Sequence, residues 1–211
     1  MVSNMKDIES LFFSNKFLKI SKNSEIEKTL FRDFRISITC DGKWEDGEFI
    51  NIYIYSLEFS LFMDTLFSNF SLASHILPRK LNNDSAGCLC MVSSQIEEID
   101  GKYVFWLDGE AVDVSEFLES FSKVTSMQVF YEEVYLRNNA YFIWIEGVWV
   151  FLYLLLGMEC SVDEIMNQYK SPRMQIISKQ WRLKANFDTE ELVFVIKRII
   201  DAGLFPTKKP A

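Results

Sequence analysis

The chain has 211 residues, 15% of them aromatic and 25% charged, with only 8 Gly and 4 Pro. That supplies a sizeable core without disulfide or metal staples and excludes a disordered or linker-rich protein. The formal net charge of −8 is uneven: nine Lys/Arg stand against four Asp/Glu from Ile165 onward, leaving +5 there and −13 before it. Such a surface repels a nucleic-acid backbone and attracts a basic protein, or it serves solubility alone.

In chain order, Asp7 to Leu18 reads as a short amphipathic helix, with Ile8, Leu11 and Phe12 in register. Lys19 to Ser24 is a polar break, and Ser24 is placed to cap a second short helix over Glu25 to Phe31. The period then changes to two. Phe34, Ile36 and Ile38 alternate with Arg35, Ser37 and Thr39, which predicts a strand with one wet face. Asp41-Gly42 and Asp46-Gly47 signal turns, and Phe49 to Tyr55 is a second strand. The loop between them holds Trp44, Glu45, Asp46 and Glu48. An aromatic among carboxylates at a hairpin tip suits a contact patch, although a Trp folded back onto the sheet is the plainer reading.

Leu57 to Phe70 has the apolar spacing of a helix, and Ser71 to Ala86 is a loop. Cys88 to Ile99 is a third strand. Asp100-Gly101 and Asp108-Gly109 turn it into Tyr103 to Leu107 and Ala111-Val112, an antiparallel meander. Asp113 with Glu116 is set as a capping box for a helix burying Val114, Phe117, Leu118 and Phe121.

Gln128 to Leu136 reads as a half-buried strand with Val129, Tyr131 and Tyr135 on one face. It reverses at Asn138-Asn139 into an aromatic arm, Tyr141 to Ile145. Val148 to Leu156 has one polar group, the Tyr153 hydroxyl, and is read as a buried helix, with a strand as the alternative. Glu146 interrupts the apolar run and about ten residues follow, too few to span a bilayer, so no membrane span is expected. Ser161 with Glu164 and Asp188 with Glu191 are capping boxes, the first for a helix to Tyr169, the second for one ending before Gly203. Between them Met174 to Ala185 reads as a helix with Ile177, Trp181 and Lys184 in register.

The expected fold is α+β. An antiparallel sheet of hairpins and a meander in the N-terminal and central part packs with helices, and the C-terminal part is helical. A single domain over 1–211 is expected, with 1–157 and 158–211 as its natural subdivision.

Cys40, Cys88, Cys90 and Cys160 follow a polar, charge-interrupted start with no apolar leader, and read as reduced thiols of a cytoplasmic protein. Cys88 and Cys90 share a strand face, but zinc needs more ligands and the one histidine is His75. A dyad of His75 with either cysteine lacks any flanking signature. The acidic groups Glu45/Asp46/Glu48, Glu97/Glu98/Asp100 and Glu132/Glu133 are not ready-made acid–base pairs, because neighbours on a strand point to opposite faces. No phosphate-binding glycine loop occurs. Lys170, Arg173, Lys179, Arg182, Lys184, Lys197 and Arg198 make the C-terminal helices basic, but Asp188, Glu190, Glu191 and Asp201 dilute them, so nucleic acid is not an expected partner.

No metal and no cofactor is implied. The reading that remains is a non-enzymatic acidic binding protein: a cytosolic inhibitor or immunity-type protein that neutralises a basic partner protein such as a toxin nuclease. Its contact residues would be Trp44, Glu45, Asp46, Glu48, Glu97, Glu98 and Asp100. Two other readings stand beside it. One is a hydrolase-like enzyme whose site is assembled from distant loops, with His75 or a carboxylate as base. The other is a structural subunit that docks through Val148 to Leu156. Oligomeric state is left open.

Overall fold

A computed structural model describes residues 11–14, 16–19, 26–40, 50–69, 87–107, 109–137, 142–144, 147–180 and 188–203. The architecture is α+β, with antiparallel sheets and a helical C-terminal part. Two compact units divide the chain: Met1–Tyr55 with Cys90–Phe142, and Ser56–Leu89 with Ile143–Ala211.

In the first unit, β1 (Leu18–Lys19), β2 (Ile26–Phe31), β3 (Phe34–Cys40) and β4 (Ile50–Tyr55) are successive antiparallel neighbours. The predicted alternation in β3 puts Ile36 opposite Ile54 and Ile38 opposite Ile52, with Ile26 on the far side of Ile38. These β-branched side chains form a buried ladder, the packing that favours them in strands. The opposite face is drier than the alternation suggests: Ser37 is 1% and Asn51 8% exposed. The Asn51 side-chain carbonyl accepts a hydrogen bond from the Ser93 hydroxyl of β5 (Cys88–Ser94).

Residues 26–31 correct the predicted second helix, since they form a strand. Arg32 (φ +46°) and Asp33 reverse the chain so that Phe31 lies opposite Phe34. The two rings stack at 4.4 Å, and the Phe130 ring lies 5.0 Å from Phe34. A helix cap at Ser24 is worth about 1 kcal/mol. Burying one phenylalanine is worth about 1.5–3 kcal/mol. Tertiary packing therefore decides the conformation.

The predicted single strand from Cys88 to Ile99 is broken at Gln95, whose carbonyl accepts the Trp106 N–H at 3.1 Å. Beyond the break, β6 (Ile96–Ile99), β7 (Lys102–Leu107) and β8 (Glu110–Asp113) form their own three-stranded sheet in that order. Asp100 and Gly101, at φ +51° and +77°, make the tight reversal that Asp-Gly favours. The Asp113 carboxylate then accepts the Ser115 and Glu116 N–H groups at 2.7 and 3.3 Å and starts the Val114–Ser122 helix. Phe117 of that helix meets Phe105 of β7 edge-on at 5.3 Å.

Residues 127–137 also depart from expectation. They are helical, not a strand: a turn of α-helix, Met127–Val129, runs into a π-helix, Phe130–Arg137. The Ser126 hydroxyl caps the start by accepting the Val129 N–H. Phe130, Tyr131, Val134 and Tyr135 are buried, and the Tyr131 and Tyr135 rings stack at 5.5 Å. Of the returning arm, Ile143–Trp144 is a strand, β9. The Asn138-Asn139 turn lies outside the described residues.

In the second unit, Val148 to Leu156 adopts the expected helix, within Gly147–Gly157, and is buried throughout. The Tyr153 and Ser56 hydroxyls are hydrogen bonded at 3.2 Å, and Tyr153 also donates to Glu58 at 3.4 Å. Phe59 and Phe62, on the Leu57–Asn69 helix, set their rings 5.2 and 5.6 Å from that of Tyr153. Ser56 caps this helix by accepting the Phe59 N–H, and its own N–H donates to the Gly87 carbonyl at 2.9 Å. Both C-terminal capping boxes form as predicted, ahead of Val162–Tyr169 and Thr189–Asp201, and Gly203 (φ +64°) follows the last helix. The Pro172–Gln180 helix lies between them, and its predicted extension through Trp181 and Lys184 falls outside the described residues. Among the described residues, no helix is long and apolar enough to cross a membrane.

Two substitutions test this account of the second unit. A Cβ at Gly87 (φ +83°) would sit 2.7 Å from the Ser56 carbonyl oxygen, whereas one at Gly101 meets nothing within 4 Å. Both alanine variants carry the left-handed strain of about 1–2 kcal/mol. Gly87→Ala should lose about 1–3 kcal/mol more, because backbone must move. Urea unfolding of the two variants measures the difference, and equal losses would refute the close approach. Ser56→Ala should cost about 1–3 kcal/mol in the same assay, since it removes a helix cap and a partner of a buried hydroxyl.

Candidate functional site

Residues 90–142 carry ten acidic and three basic side chains, while the rest of the chain is nearly balanced, with 20 acidic and 19 basic. The three cations are all engaged within the segment: Lys102 with Asp113 at 3.5 Å, Lys123 with Glu119 at 3.5 Å, and Arg137 with Glu133. The surplus negative charge of the protein thus belongs to the three-stranded sheet and the helices that follow it.

Of the sequence-predicted contact residues, Trp44, Glu45, Asp46 and Glu48 lie outside the described residues. Glu97 is half-buried on β6, while Glu98 on β6 and Asp100 in the turn are exposed. Glu97 pairs across to Val104 and Glu98 to Tyr103, so the two adjacent carboxylates project from opposite faces. Glu98 shares its face with Ile96 and Phe105, the face that meets the Val114–Ser122 helix. Glu97 shares the other face with Ile99, Val104 and Trp106. Ile99 and Trp106 are each 38% exposed. Trp106 is not among the residues that charge and turn signals single out. Its signal was there: with Phe105 and Leu107 pointing inward, the residue between them points out.

A cleft of about 460 Å³ lies beside this sheet, lined by Leu11, Ser14, Lys102, Tyr103, Asp113 and Ser115 among others. Its ionic groups are mutually engaged, because one Asp113 oxygen faces Lys102 and the other accepts the Ser115 N–H. Glu132 and Glu133 are not a pair either: Gln128 donates to the first and Arg137 to the second. Among the described residues, no three of His, Cys, Asp and Glu gather as metal ligands. His75 lies outside them.

Cys88 and Cys90 are buried thiols, and Cys160 is half-buried. Burial and the nearby Glu164 carboxylate both raise the Cys160 pKa. The Glu164 carboxyl is held below its ordinary pKa by the Ser161 N–H and hydroxyl. Residues Val148 to Leu156, the candidate docking segment, are at most 6% exposed and already covered within this chain.

Compared with protein-family models, with curated proteins and with solved structures, the chain finds no match.

The raised thiol pKa has a measurable consequence. Iodoacetamide near pH 8 should alkylate Cys160 several-fold more slowly than free cysteine, because less thiolate is present. Glu164→Gln keeps a residue suited to the capping box and removes the charge, so it should speed the reaction. Peptide mass spectrometry reads the rate at that site, and an unchanged rate in the variant would leave burial as the sole cause.

Proposed function

We propose that the chain is a non-enzymatic acidic binding protein, a cytoplasmic inhibitor of the immunity type that covers and neutralises a basic partner protein such as a toxin nuclease. The observation that carries this reading is the charge balance of residues 90–142, ten acidic to three basic, with every cation of the segment held by a carboxylate of the same segment. The uncompensated carboxylates, Glu97, Glu98 and Asp100 among them, produce a field that draws in a cationic protein and repels a polyanion. Residues 44–48, with one aromatic and three carboxylates, are assigned to partner contact in this reading on their sequence alone.

Capture from the native extract followed by mass spectrometry identifies the partner, and stopped-flow mixing of the pair then tests the mechanism. Association should slow about tenfold or more from low to high ionic strength, while dissociation changes less. A partner with an acidic surface, or an association rate indifferent to salt, would sink the proposal.

A further inference from the structure

The outward face of the three-stranded sheet is laid out by its pairings. Glu97, Val104 and Asp113 form the central row across β6, β7 and β8. Ile99 pairs with Lys102 on one side of that row, and Trp106 pairs with Ala111 on the other. The indole therefore has Glu97 and Asp113 as diagonal neighbours, within reach of a long side chain laid over the strands. Ala111 beside it is small and exposed, and the Trp106 side chain is itself 38% exposed. Asp113 is committed to Lys102 and to the helix start. Glu97 has no ion pair among the described residues.

We infer that this face is a docking surface for an arginine-bearing segment of a basic protein, with Trp106 as its anchor. The inference rests on the acidic-binder reading and adds to it the place and the side-chain chemistry. A guanidinium stacks flat on the indole, its methylene stem runs toward the exposed Ile99, and its N–H groups donate to Glu97. Charge complementarity selects the occupant, since residues 90–142 have all three cations committed and an excess of carboxylates. An acidic peptide or a nucleic acid is opposed by the same charges. Arginine is favoured over lysine because a planar, weakly hydrated cation suits an exposed aromatic face better than a compact ammonium.

Titration of the ¹⁵N-labelled full chain with hexa-arginine, hexa-lysine and hexa-glutamate peptides tests this, with the Trp106 indole N–H signal assigned by its loss in Trp106→Leu. Hexa-arginine should shift that signal and bind roughly three- to fivefold more tightly than hexa-lysine. Hexa-glutamate should leave the signal unmoved. Trp106→Leu should abolish the preference for arginine, and Glu97→Gln should weaken hexa-arginine by a similar factor. Trp106→Phe should fall between the wild type and the leucine variant, and stands in for it should leucine at this site impair folding. An arginine preference that survives in Trp106→Leu, or hexa-arginine binding without movement of the Trp106 signal, would overturn this docking surface and leave the acidic-binder reading intact. Failure of the full chain to bind either cationic peptide would overturn both.

Discussion

Tyr153 places a hydroxyl inside the most apolar helix among the described residues, where a lost hydrogen bond would cost about 1–3 kcal/mol. The second unit is arranged around the groups that meet it. Ser56 contributes its hydroxyl to Tyr153 and to the Phe59 N–H, and its backbone N–H to the Gly87 carbonyl. One serine thus joins the buried helix, the start of the Leu57–Asn69 helix and the approach to β5. The contact is so close that residue 87 has no room for a side chain and adopts a left-handed conformation. Glu58, two residues on, accepts from the same phenol, so the Ser56 hydroxyl donates to Tyr153. Apolar burial drives this unit together, but it is non-directional. The polar contacts at Tyr153 fix which face of the helix looks toward Ser56.

Where local chemistry decides conformation, the sequence is legible. Asp188 with Glu191 and Ser161 with Glu164 are short-range reciprocal contacts, and each forms where its spacing places it. Asp-Gly at 100–101 likewise forces a reversal, because both residues must take positive φ. Residues 26–31 and 127–137 are misread for a different reason. Thr29 to Phe31 and Phe34 to Ile36 pair through a turn, Arg32-Asp33, that carries no glycine or asparagine to announce it. In residues 127–137 the apolar positions admit a period of two as well as a helical one. Val129, Tyr131 and Tyr135 alternate, yet Phe130 with Val134 and Tyr131 with Tyr135 are four apart. The polar residues hold the discriminating signal. Gln128 reaches Glu132 and Glu133 reaches Arg137, both at the four-residue spacing that only a helix brings together.

The candidate surface was legible in its charge and illegible in its geometry. Counting carboxylates finds Glu97, Glu98 and Asp100, but the pleat sends Glu97 and Glu98 to opposite faces. Only the pairing of β7 with β6 and β8 reveals that Trp106 lies diagonally from Glu97 and beside the small Ala111. Cross-strand neighbours depend on register, and register depends on the break at Gln95 that starts β6 anew, which no residue pattern announces.

The distribution of charge, more than its amount, separates a binding surface from a merely soluble one. Solubility is served by carboxylates spread over the whole molecule and interspersed with cations. Here the chain outside residues 90–142 is almost neutral, and the segment itself holds ten acids against three bases. Concentrating like charge in this way destabilises a compact fold through self-repulsion. A protein selected for solubility and stability alone could relieve that repulsion by exchanging Glu97 or Glu98 for lysine, at exposed or half-exposed sites where either residue fits the sheet. Such an exchange would also weaken the field that draws in a basic partner, and it would replace the carboxylate beside Trp106 with a competing cation. In the proposed reading the repulsion is the cost of keeping that face ready for arginine, and docking of the partner relieves it.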